Sequence, residues 1–133
     1  MSKLILKIEN KIQDKNFLLT IAFSTDSSQE TPFVFGNSTN SLERVNLTIE
    51  DANSIILEPV EIRMIIPKVT NSIETSISKD KNFEYDIKGN IEDKGSNILI
   101  KIKSISYLLH KNQSYSFYLE YRGAKSNVLI ISF

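Results

Sequence analysis

The sequence predicts an all-β fold, a sandwich of two antiparallel sheets with about eight to ten strands, on three observations. Apolar residues alternate with polar ones at period two along most of the chain, the mark of strands with one wet face. Spacings of three and four residues, which would make a helical stripe, are nearly absent. Short clusters of Asn, Asp, Ser and Gly separate the alternating rows, and these residue types turn the chain.

The elements follow in order. Leu4 to Ile8 is a short first strand. Phe17, Leu19, Ile21 and Phe23 share one face of a second. The polar stretch Ser24 to Pro32 then reads as a hairpin loop leading into Phe33 to Phe35. Val45, Leu47 and Ile49 alternate with Asn46, Thr48 and Glu50, and Ile49 to Pro59 is expected to hold a helical turn. Val60, Ile62, Met64 and Ile66 form a row ended by Pro67, which has no N–H to give a ladder. Ile73 to Ile77 is a further short strand, Phe83, Tyr85 and Ile87 oppose Glu84, Asp86 and Lys88, and Ile98, Ile100 and Ile102 oppose Lys101 and Lys103. Tyr115, Phe117, Leu119 and Tyr121 alternate with Ser116, Tyr118, Glu120 and Arg122. A turn through Arg122 to Lys125 then leads into Val128 to Phe133 as a terminal hairpin.

The chain has 133 residues, 41% hydrophobic and 24% charged, which suits a single domain over 1–133. Sixteen basic residues balance sixteen acidic ones, with no basic block to track nucleic acid or an anionic membrane. No apolar run reaches the length of a membrane span. The run at Leu4 to Ile8 is broken by Lys7 and is too short for a signal-peptide core, which points to the cytoplasm.

Chemistry is sparsely supplied. With no Cys and a single His, thiolate nucleophiles and thiolate or multi-imidazole metal sites drop out. His110 reads as a solvated loop residue. Glu74, Glu84, Asp86, Glu92 and Asp93 offer carboxylates, but Glu84 and Asp86 alternate with apolar residues and so fall on a wet sheet face, without the shelter an acid–base pair needs. Asp80, Asn82, Asn90, Glu92 and Asp93 lack the Asp-x-Asp spacing of a calcium loop. The glycines are isolated and form no phosphate cradle. No enzyme activity, metal or cofactor is expected.

Leu109-His110-Lys111-Asn112-Gln113-Ser114-Tyr115-Ser116-Phe117 resembles the tyrosine corner of immunoglobulin-like and fibronectin type III domains. That resemblance implies a Tyr115 hydroxyl bonded to backbone a few residues upstream, tying one sheet to the other. Lys111-Asn112 stands where Pro-Gly is usual, and Asn tolerates the left-handed turn such a corner requires. A second stretch, Phe17 to Asp51 with Pro32-Phe33-Val34-Phe35-Gly36 and Val45 to Asp51, is similar in its strand and turn lengths to the bacterial intracellular proteinase inhibitor family, which has an immunoglobulin-like sandwich.

The expected function is a non-enzymatic module that contacts another protein through loops or a sheet edge, with a homo-oligomer left open. The alternatives are an inhibitor-like sandwich and a carbohydrate-binding module. Candidate contact residues are Ser27, Ser28, Gln29 and Glu30 in the long polar loop, Tyr118 on the outward side of its strand, and Arg122 and Lys125 at the last hairpin.

Overall fold

A computed structural model describes residues 4–26, 28–29, 31–35, 46–62, 73–102, 105–121 and 123–133. These form an antiparallel β-sandwich, with no helix among the described residues. The strands are β1 (Leu4–Asn10), β2 (Asn16–Thr25), β3 (Thr31–Phe35), β4 (Asn46–Glu50), β5 (Glu61–Ile62), β6 (Ile73–Ile77), β7 (Phe83–Lys94), β8 (Asn97–Ile102), β9 (Ile105–His110), β10 (Ser114–Tyr121), β11 (Ala124–Lys125) and β12 (Leu129–Ser132). One sheet runs β1-β2-β7-β8-β9-β5, and the other sets β4 on one side of β10 and β11 with β12 on the other. β3 and β6 form a separate two-stranded ribbon.

The period-two rows become the core. Phe17, Leu19, Ile21 and Phe23 of β2 and Phe117 and Leu119 of β10 are buried between the sheets, where burial of each large apolar side chain is worth about 2 kcal/mol. Phe17 and Phe117 rings lie 6.1 Å apart across the gap, and Phe23 meets Tyr121 edge-on at 5.8 Å. Such ring pairs are favoured by the positive ring edge facing the negative ring face.

Ser24 to Pro32 is not a hairpin loop. β2 already has β1 on one edge and β7 on the other, so neither edge is left for β3. β3 pairs with β6 instead, and both flank the β2–β7 pair in sequence, so the chain between β2 and β3 interrupts one continuing antiparallel ribbon. Pro32 is accommodated because each strand of a two-stranded ribbon is an edge.

The helical turn expected within Ile49 to Pro59 is also replaced. Asp51 Oδ1 accepts the N–H groups of Asn53 (2.8 Å) and Ile55 (3.0 Å), and the Ser54 N–H bonds the Asp51 carbonyl. Ser54 takes a left-handed φ of 62°. An Asp side chain that satisfies the turn backbone competes with helix formation, and the chain returns along β4, with Leu57 N–H on the Ile49 carbonyl at 2.8 Å. The Val60 to Ile66 row is seen only through β5, its remainder lying outside the described residues. β9 was not expected as a strand, and His110 ends it.

Besides the ring contacts, hydrogen bonds tie the sheets at two ends. The Lys111 to Gln113 connection carries the chain from β9 to β10, Asn112 has φ 64°, and the His110 N–H donates to the Tyr115 hydroxyl at 2.9 Å. At the other end, β10 pairs with β11 and β12 in registers one residue apart, so Ser126 to Val128 form a β-bulge. The bulge aims Asn127 at β1. Its Oδ1 accepts the Ile8 N–H (2.7 Å) and its Nδ2 donates to the Ile8 carbonyl (3.0 Å), replacing one rung of a missing strand.

Candidate functional site

The two sheets turn different faces to solvent. On the six-stranded sheet, residues that alternate with the core include Lys7 and Glu9 of β1, Glu84, Asp86 and Lys88 of β7, and Glu92 and Lys101 beyond, together with the exposed Ile5 of β1 and Leu108 of β9. Many are engaged. Thr20 donates to Asp86 at 2.9 Å, Glu92 meets Lys101 at 3.1 Å and Lys94 at 3.4 Å, and Asp93 meets Lys111 at 2.9 Å. The hydrogen bonds from Lys101 and then Lys94 hold the Glu92 carboxyl below its ordinary pKa, and those from Lys111 and the Gly95 N–H do the same for Asp93. Carboxylates held charged in the open are poor general acids near neutrality. A cleft of about 280 Å³ at the tip of the β1–β2 hairpin is lined by Lys11, Gln13, Asn16, Phe17, Leu18, Lys88 and Gly89, with no carboxylate or hydroxyl among them.

The outer face of the four-stranded sheet is built from different residues. Ile49 and Phe117 point into the core, so the alternate positions on β4, β10 and β12 point out. Register aligns Ile56, Glu50, Ser116 and Ile130 in one row across the sheet. Directly opposed residues share a face, and Ile56 and Ile130 are 56% and 67% exposed. Three strand spacings separate them by about 14 Å. Val128 and Ile55 are exposed beside the two ends of the row, and between them lie Glu50 and the small Ser116, with Ser114 and Ser132 hydroxyls 2.7 Å apart one step along. The Asp51 hydrogen bonds fix the loop that carries Ile55 and Ile56, so little ordering is left for a binding event to impose.

Tyr118 lies on this face opposite Thr48, but it is not an exposed ring: only 8% is accessible. Lys125, diagonal to it on β11, lays its ammonium 4.1 Å from the ring centroid, a cation–π contact with its stem as cover. The structure thus brings Tyr118 and Lys125 together. Ser28 and Gln29 are exposed on the connection between β2 and β3, while Ser27, Glu30 and Arg122 lie outside the described residues. His110 is exposed at the end of β9.

The strip of Ile55, Ile56 and Ile130 was missed from the sequence. The available signal was Ile55-Ile56-Leu57 directly after an Asp-Ala-Asn-Ser turn: the turn uses the Asp side chain, and three successive apolar residues cannot all be buried on one strand face. Among the described residues, no three His, Asp or Glu side chains converge as metal ligands, and no helix is long and apolar enough to cross a membrane. No family model matches the chain, and neither a curated protein nor a solved structure matches it.

Proposed function

We propose that this protein is a non-enzymatic β-sandwich module that binds another protein through the outer face of its four-stranded sheet. One observation carries the reading: Ile56 and Ile130, 56% and 67% exposed and in register, flank Glu50 and Ser116 on this face, whereas on the other sheet the less exposed Ile5 and Leu108 stand among charged residues. Isolated exposed apolar residues are ordinary, but several on one flat face mark a contact surface. Tyr118 and Lys125 belong to this face. Tyr118 supports a protein partner better than a sugar, since its ring is covered where a sugar would need to stack.

The test compares capture of a host-cell protein by the immobilised wild type and two variants. Ile56→Lys places a charge on the proposed contact face and should abolish capture, while Lys88→Ser on the six-stranded sheet should retain it. Both positions are exposed, so neither change should alter folding appreciably. Equal capture by all three proteins would remove the face from consideration and return attention to Ser28 and Gln29.

A further inference from the structure

β12 is an edge strand: it pairs with β10 on one side and, among the described residues, with nothing on the other. Leu119 directs its N–H and its carbonyl to Ser126. By the alternation of an antiparallel ladder, Phe117 and Tyr115 face β12 in the same way, and Leu129 and Ile131 turn towards them. The N–H and carbonyl of Ile130 therefore point away from the sheet.

Exposed edges are usually protected by charges, prolines or covering segments. β1 carries Lys7 and Glu9, β4 carries Glu50, β5 carries Glu61, β6 carries Glu74 and β3 carries Pro32. β12 lacks the first two: Ser126 to Phe133 contains no charged residue and no proline, and although Asn127 ahead of it reaches Ile8 of β1, Ile130 at its middle is 67% exposed. Charge decides what such an edge can accept. In antiparallel pairing about a twofold axis, a strand meets its own residues, and like charges opposite one another are destabilising. Among these edges only β12 meets a copy of itself without a charge or a proline at the junction.

Register is equally permissive. With the axis at Ile130, Ile130 opposes Ile130 of the second copy, Val128 opposes Ser132, and Leu129 opposes Ile131. The first two pairs lie on the outer face and the third extends the buried row, so the core continues from one copy into the other. We propose that β12 pairs antiparallel with β12 of a second copy of this chain, centred on Ile130, joining two four-stranded sheets into one. The pairing stands whether or not the outer face takes a partner, and it would double that face.

Sedimentation of the wild type over a concentration series should show monomer passing to dimer. Ile130→Lys should weaken association at least tenfold while its circular dichroism and melting temperature match the wild type, since the side chain is 67% exposed. An equimolar mixture of Ile130→Lys and Ile130→Glu should restore the dimer, because Lys then opposes Glu. The chain has no cysteine, so Ile130→Cys should give a disulfide-linked dimer on mild oxidation; a hydrogen-bonded antiparallel pair has Cα atoms about 5.5 Å apart, within disulfide range. A wild type that stays monomeric, an Ile130→Lys variant that dimerises undiminished, or a failure of the charge-swapped mixture would each overturn the pairing. Ile130 belongs to the outer face as well, so capture is read on Ile56→Lys: its loss with the dimer intact would concern that face alone.

Discussion

The outer faces of the two sheets share a geometry and differ in how densely they are charged. On β7 the alternation is apolar against charged, with Ile87 inward and Glu84, Asp86 and Lys88 outward, while the neighbouring β2 buries Leu19 and Ile21 and turns Leu18, Thr20 and Ala22 to the outer face. On β10 and β12 the inward rows are just as apolar, but outward positions are Ser114, Ser116, Tyr118, Ile130 and Ser132, with Glu120 the one charge on these two strands. Burial needs only one apolar face per sheet, so the second face is free to vary. Where it is charged and ion-paired it is suited to water; where it is small and apolar it is suited to another surface. Much of the difference lies in exposed residues such as Ile130, Ser132 and Lys88, which contribute little to folding.

The two regions also differ in how they are held. The six-stranded sheet depends on a backbone approach at Gly89, where a Cβ would collide with the Lys101 carbonyl oxygen and stand 3.2 Å from Ile102 Cγ1. β7 pairs with β2 up to Asn90 and with β8 from Asn90 onward, so Gly89 lies where β7 changes neighbours. Gly89→Ala should therefore give the largest effect, a loss of about 3 kcal/mol, because the clash is with backbone and no side chain can swing aside. Urea denaturation of the variant measures it, and a loss below about 0.5 kcal/mol, the level of an ordinary surface change, would show that β7 and β8 are not in close contact there.

The four-stranded sheet is tied through side chains, and β10 separates its inward and outward tyrosines. Tyr115 is buried and accepts the His110 N–H; Tyr115→Phe strands that donor and should cost about 1 kcal/mol. Tyr118→Phe keeps the ring under Lys125 and should cost less than half of that, which denaturation midpoints measured side by side would resolve. Equal midpoints would mean that the corner hydroxyl contributes nothing to joining the sheets.

How much of this was legible follows from what period two can encode. It assigns each residue of a strand to a face, so the core rows on β2, β7, β8 and β10 were read directly. Ile105, Tyr107 and Leu109 alternate with Ser106, Leu108 and His110, so β9 was legible too and was hidden only by Leu108 interrupting the polar row. Pairing is different. Whether β3 returns along β2 depends on whether β2 has a free edge, and that is set by β1 and by β7, which lies about sixty residues further on. The bulge at Ser126 to Val128 depends on a one-residue register shift that no local residue type announces, and with it goes the direction of Asn127. The row proposed as a contact face was invisible for the same reason: Ile56 and Ile130 are brought into one row only through β4 and β10.

The smallest expected effect concerns the charged face itself. Glu92 and Asp93 have pKa values below their ordinary 4.5 and 3.8, because lysines donate to them in the folded chain. A carboxyl whose pKa is depressed on folding adds stability that is present above its unfolded pKa and is lost as pH falls through the lower folded value. Melting temperature should thus be flat from pH 7 to about 5 and decline below about 4, where these groups take up protons. Glu92→Gln combined with Asp93→Asn should shallow that decline slightly and leave the neutral-pH melting temperature within error, because exposed ion pairs are screened by water and salt. The proposed self-association through β12 should not follow this profile, since no side chain from Ser126 to Phe133 titrates. A dimer that dissociates in step with protonation of Glu92 and Asp93 would place the contact on the six-stranded sheet and reverse the assignment of the two faces.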